Sequence, residues 1–147
     1  MMQTQNSQTY DPQNIFARIL RGEIPAHTVY EDEHTLAFMD VMPQGDGHTL
    51  VIPKAPSRGL LDADPAVLGR LFATVQKVAA AAKAAFQADG LVIYQYNEAA
   101  GGQTVFHLHV HIVPRFEGVP LRRHAGGMAQ GELLAAHAAK IRAALSG

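Results

Sequence analysis

Three histidines fall within five residues of this chain, at positions 107, 109 and 111, and their spacing is its strongest chemical signal. In an extended strand successive side chains leave opposite faces, so His107, His109 and His111 would project together while Phe106, Leu108, Val110 and Ile112 line the other side. The apolar set can pack against a helix. The imidazole row has no such explanation: adjacent imidazolium charges repel, so the row is costly unless something anionic or metallic sits over it. Two chemistries use such a row. A zinc hydrolase takes two or three imidazoles as ligands beside a carboxylate or water. A phosphate site uses one neutral His as nucleophile on phosphorus and the others as donors to the non-bridging oxygens. Gly101-Gly102-Gln103-Thr104, just before the row, favours phosphate, because it offers backbone N–H groups, an amide and a hydroxyl to an anion. His27, His34, His124 and His137 read as surface residues.

Positioning the row requires a sheet. Asn14 can cap a short helix through Arg21, since Ile15, Ile19 and Leu20 recur at helical spacing before Gly22. Three strand-like runs follow, His27 to Glu31, Thr35 to Val41 and His48 to Pro53, separated by Asp32-Glu33 and Gly45-Asp46-Gly47, and they predict an antiparallel meander. Asp64-Pro65 pairs a capping carboxylate with proline at the first helical position. Val67, Leu68, Leu71, Phe72, Val75, Val78, Ala79, Ala82 and Phe86 then keep one face apolar, and Asp89-Gly90 closes the helix. Leu91 to Asn97 and Thr104 to Arg115 read as two further strands, and an Ala-rich helix from about Gly131 to Leu145 ends the chain. This order lacks regular strand–helix alternation and predicts an α+β fold with a mostly antiparallel sheet, one long helix and two shorter ones. A flexible polar tail over 1–13 and a single domain over 14–147 are expected.

Composition narrows the function classes. The 147 residues carry 12 Lys+Arg against 13 Asp+Glu, a formal charge of -1, so there is no broad basic footprint for a nucleic-acid duplex or an anionic membrane. With no cysteine, the chain can form neither disulfides nor thiolate metal sites, which fits the cytoplasm. The longest apolar stretch, Val67 to Phe86, is interrupted by Arg70, Lys77 and Lys83 and cannot span a bilayer, and the N-terminus has no signal-peptide pattern. Glycine-rich dinucleotide and Walker-type phosphate loops are both missing.

His107-Leu108-His109-Val110-His111-Ile112-Val113 resembles the His-φ-His-φ-His-φ-φ motif of the histidine triad (HIT) proteins, where φ is apolar. The likeness extends through Ile15-Phe16, Gly22-Glu23-Ile24-Pro25, Val29-Tyr30-Glu31-Asp32, Gly47-His48-Thr49-Leu50-Val51-Ile52-Pro53-Lys54, Asn97-Glu98 and Gly102-Gln103-Thr104-Val105, covering residues 14–116. The resemblance implies an α+β homodimer whose sheet continues across the subunit interface. It also implies a purine nucleotide substrate cleaved at the α-phosphate without a cofactor. His109 is then the nucleophile, His111 and His48 stabilise phosphate charge, and His107 orients the cluster. Asn97 and Gln103 match phosphate-contacting positions, Thr104 a donor to the leaving group, and Asp40 the acceptor of the ribose hydroxyls. Ile15, Phe16, Ile24 and Phe38 match apolar walls around the base. Strict alternation would place Thr104 on the face opposite His109, so its role requires a bend between Gln103 and Phe106.

Departures from the family pattern also inform. Many bacterial relatives carry Cys-x-x-Cys where this chain has Asn14-Ile15-Phe16-Ala17, and a His where it has Pro56; those residues form a structural zinc site, so no bound zinc is expected here. His111 stands where the nucleotidyltransferase branch has Gln, which favours hydrolysis over transfer. The stretch from Glu117 onward departs from the family pattern. The leading expectation is a nucleoside phosphoramidase. Alternatives are a dinucleoside polyphosphate hydrolase, a nucleotide-binding regulatory module and a zinc hydrolase.

Overall fold

The Asn14 side-chain oxygen accepts a hydrogen bond from the Ala17 N–H (2.9 Å) and starts the short helix α1 (Ile15–Leu20) in the computed structural model, which describes residues 9–123 and 127–147. His124 lies outside the described residues. The meander follows as β1 (Thr28–Glu31), β2 (Thr35–Met39) and β3 (Thr49–Pro53). Asp64 caps the long helix α2 (Pro65–Phe86) by accepting from the Ala66 N–H, with Pro65 opening it. The helix closes earlier than expected: Gln87 takes the left-handed conformation (φ 51°), the Gln87 and Ala88 N–H groups turn back to the Ala84 and Lys83 carbonyls, and Gly90 already belongs to β4 (Gly90–Tyr94). β5 (Val110–Arg115) and α3 (Gly131–Ser146) complete the chain.

The five strands form one sheet in the order β1-β2-β3-β5-β4, with every neighbouring pair antiparallel. One face packs on α2 and α3 through Ala37, Met39, Val51, Val110 and Ile112, which meet Leu71, Val75, Val78, Leu134 and Ile141. The other face presents Leu36, Phe38, Leu50 and Ile52 to Phe16 and Ile19 of α1. Covering both faces explains why every residue of β2 and β3 is buried, and why those runs read as nearly continuous apolar sequence. Phe72, expected on the buried stripe of α2, is instead exposed, because the stripe turns through Leu71 and Val75. Among the described residues no helix is long and apolar enough to cross a membrane.

The strand expected from Thr104 onwards is shorter than its alternation suggests. Regular pairing begins only at Val110; bends occupy residues 105–107, and the Leu108 N–H goes to the Ser57 carbonyl (2.8 Å) rather than to a ladder partner. His107 and His109 therefore precede the strand, and only His111 lies in it. Leu108, Val110 and Ile112 reach the helical core, whereas Phe106 lies outside it beneath the Arg58 guanidinium (4.1 Å from ring centroid to Cζ). Gly47, just before β3, has φ 86°, and a Cβ there would sit 2.9 Å from the Phe86 ring at the end of α2.

Candidate active site

Register assembles the site. Phe38 pairs with Leu50, Leu50 with His111 and His111 with Tyr94, so these four side chains form a row across β2, β3, β5 and β4 on the face away from the long helices. Over this row lies a cavity of about 340 Å³. Ile15, Phe16, Ile24 and Phe38 wall its apolar part, and Asp40, Thr104, His109 and His111 stand at its polar end. Among the described residues, no Lys or Arg lines it. The bends before β5 put Thr104 on the same cavity as His109, as its expected role requires.

Hydrogen-bond partners fix the protonation pattern. His107 Nε2 lies 2.8 Å from the Pro53 carbonyl and His109 Nδ1 lies 2.7 Å from the His107 carbonyl. A carbonyl only accepts, so both nitrogens carry protons; in a neutral ring the lone pair of His109 then resides on Nε2. Phe16 holds that imidazole edge-on at 4.9 Å. His107 is wholly buried, and burial pushes its pKa down to about 4 against a supporting bond to the Pro53 carbonyl, so it is neutral at pH 7. Its Nδ1 accepts from the Tyr10 hydroxyl (2.6 Å).

A second chain runs through His48. The Gln44 N–H donates to His48 Nδ1 (3.0 Å), so the His48 proton is on Nε2 and faces His111 Nδ1 at 2.9 Å. His111 is thereby left with its own proton on Nε2, a donor suited to a phosphate oxygen. Asp40, held by the Met42 N–H (2.8 Å), brings Oδ2 to 3.4 Å from His48 Nε2 and 4.0 Å from His111 Nδ1. Asp40, His48 and His111 thus have the composition of a metal site. The Gln44 N–H opposes that use, because it occupies the Nδ1 lone pair of His48 and obliges Nε2 to keep the proton a metal would displace.

Not every residue expected at the site reaches the cavity. His48 and His107 lie behind it, wholly buried. The Gln103 side chain accepts from the Glu98 N–H (2.7 Å) and donates to the Arg58 and Val105 carbonyls. Asn97 accepts from the Leu60 N–H (2.8 Å) and pairs with Gln95. Both amides brace the loop before the histidines rather than line the cavity. His34 is exposed beside Glu33, His27 is half-buried, and His137 packs edge-on against Phe86 at 4.9 Å. Sequence reasoning missed Tyr10, Tyr94 and Gln44. For Tyr94 a signal existed, since an aromatic in the strand beside the histidine strand can land opposite His111; Tyr10, in a polar stretch, offered none.

Comparison with known proteins agrees with this geometry. The family model of the HIT domain matches residues 21–118. A solved Hit-like protein involved in cell-cycle regulation from Bartonella henselae is 55% identical, with a TM-score of 0.87 over 92% of this chain and 99% of that one. A hypothetical histidine triad nucleotide-binding protein from Sulfolobus tokodaii is 34% identical, with a TM-score of 0.81 over 89% of this chain and 91% of that one. Adenylylsulfatase HINT3 of Arabidopsis thaliana is 35% identical over 125 residues, 81% of this chain and 64% of that protein. Since the matched region contains the whole sheet and all the residues of the two histidine chains except Tyr10, the chain belongs to the histidine triad family of nucleotide-binding proteins, whose members are typically nucleotide hydrolases.

Proposed function

We propose that this protein hydrolyses a purine nucleoside phosphoramidate at its α-phosphate through a nucleotidyl-His109 intermediate, releasing nucleoside monophosphate. The observation that carries this reading is the 2.7 Å bond from His109 Nδ1 to the His107 carbonyl, which aims a neutral imidazole lone pair at the polar end of an apolar-walled cavity. His109 Nε2 forms a bond to phosphorus as the phosphorus–nitrogen bond breaks. The departing amine takes a proton from the Thr104 hydroxyl, and His111 Nε2–H supports the non-bridging oxygens. Water then attacks phosphorus and returns a proton to Thr104 as the bond from phosphorus to His109 Nε2 breaks and the monophosphate is released. Asp40 receives the ribose hydroxyls, and Ile15, Phe16, Ile24 and Phe38 enclose the base.

Among the described residues the cavity lining holds no Lys or Arg, which supports a substrate with one phosphate over a dinucleoside polyphosphate, whose extra charges would lie unmatched. An adenylylsulfate is a second candidate substrate, favoured by the likeness to the Arabidopsis adenylylsulfatase, because it presents the same α-phosphorus with a different leaving group. The protein would act in the cytoplasm as a homodimer. The β4 edge, with Ile93 and Tyr96 each about 40% exposed, supports pairing with a second copy. The test is intact-protein mass after rapid quenching with adenosine phosphoramidate. Wild type gains one adenylyl group and accumulates monophosphate, whereas His109→Ala gains nothing; an adduct on the variant, or turnover without any adduct in wild type, contradicts the mechanism.

A further inference from the structure

Tyr94 and His111 are cross-strand partners, and their rings stack face to face with centroids 4.1 Å apart and planes 9° from parallel. The hydroxyl of the same tyrosine donates to Oε1 of Gln44, the residue whose N–H fixes His48. His48 Nε2 meets His111 Nδ1 at 2.9 Å, so four residues from three separate segments form a closed loop of contacts around the buried imidazole pair. Burial drives the Tyr94 phenol pKa upward, so the hydroxyl stays protonated and remains a donor to Gln44 throughout the neutral range.

The loop has a chemical consequence. An imidazole can present either nitrogen as its donor, and a ring that flips about χ2 exchanges the positions of nitrogen and carbon. His111 supports a phosphate only with Nε2–H forward, which requires Nδ1 to accept from His48 and the ring plane to hold. We infer that Tyr94 and the Gln44 side chain are positioning residues that lock the plane and the tautomer of the His48–His111 pair, with Tyr94 clamping one ring and tethering the donor that fixes the other. This rests on the proposed role of His111 toward the phosphate. Both residues act through the pair and touch no substrate.

The experiment combines imidazole ¹⁵N spectra, recorded with adenosine monophosphate bound, with steady-state kinetics. Wild type shows one tautomer at each ring, Nε2–H for both His48 and His111. Tyr94→Leu is expected to give mixed tautomers at His111 and to lower kcat about tenfold with KM little changed, the pattern of lost positioning. Tyr94→Phe keeps the stack and loses the tether, so it retains the His111 tautomer while broadening the His48 signals. Gln44→Ala, which keeps the backbone N–H and loses only the tether, should match Tyr94→Phe. If Tyr94→Leu does not fold, the two milder variants carry the test. Unaltered tautomers in every folded variant overturn the inference, as does a loss of kcat that accompanies only unfolding. The spectra need no turnover, so failure of the brace and failure of the proposed hydrolysis are read separately.

Discussion

The Tyr10 hydroxyl donates to Nδ1 of His107 across 2.6 Å, although 97 residues separate them in sequence. The same histidine donates through Nε2 to the Pro53 carbonyl and offers its own carbonyl to His109. A residue from before the first helix is thereby connected to His109, the proposed nucleophile, through two hydrogen bonds and one backbone unit. Tyr10→Phe keeps the ring contact at 5.6 Å and removes the hydroxyl, leaving a buried acceptor on His107. It is expected to cost about 1–2 kcal/mol of stability and to lower kcat several-fold, read by denaturant unfolding and initial rates. Unchanged values in both would show that the bond contributes nothing.

Asp40→Asn is expected to weaken ribonucleotide binding by roughly ten- to hundredfold while binding of the 2′-deoxy analogue changes much less, because the proposed role of the carboxylate is to accept from the vicinal diol. Isothermal titration with the two monophosphates checks this. Equal weakening for both would reassign Asp40 to the His48–His111 pair alone, which its Oδ2 approaches to 3.4 and 4.0 Å.

Thr104→Ala should slow phosphoramidates of basic amines by roughly a hundredfold and those with weakly basic leaving groups far less, since proton donation matters most where the departing nitrogen is basic. A plot of rate against leaving-group pKa gives the answer: a steeper slope for the variant supports the donor role, and parallel lines contradict it.

Acid stability follows from His107. Its folded pKa of about 4 lies below the ordinary value of 6.5, chiefly through burial, so the unfolded chain binds the additional proton between those values. Stability is fully present above about pH 6.5 and falls as pH drops toward 4, by an amount on the order of 3 kcal/mol from this group. His107→Asn, which cannot titrate, should flatten that part of the unfolding free-energy curve measured against pH. A curve as steep as that of wild type would place the acid sensitivity elsewhere.

Much of this was legible from spacing alone. Alternation over 107–112 predicted that the histidines lie apart from Leu108, Val110 and Ile112, and apolar runs bounded by turn residues marked β2 and β3. Alternation specifies faces but not where pairing stops. Thr104 to His109 read as strand because their side-chain pattern is strand-like, yet their backbone groups find partners in loops, as Leu108 does on Ser57. The family pattern suggested a phosphate role for Gln103 and Asn97, and amides are equally able to satisfy backbone groups, which is what both do here. Tyr10 and Gln44 act through contacts that no local periodicity encodes.

Gly47 joins two parts of the molecule that are otherwise distant in purpose. With the Phe86 ring 2.9 Å from where a Cβ would stand, the end of the long helix is seated against the residue preceding His48, leaving room for nothing larger than hydrogen. Helix packing and imidazole placement consequently cannot drift independently over evolutionary time. A change at position 86 that a melting curve would score as neutral can still displace His48 at the entry to β3, so stabilised variants repacked at this corner have to be selected by turnover as well as by heat.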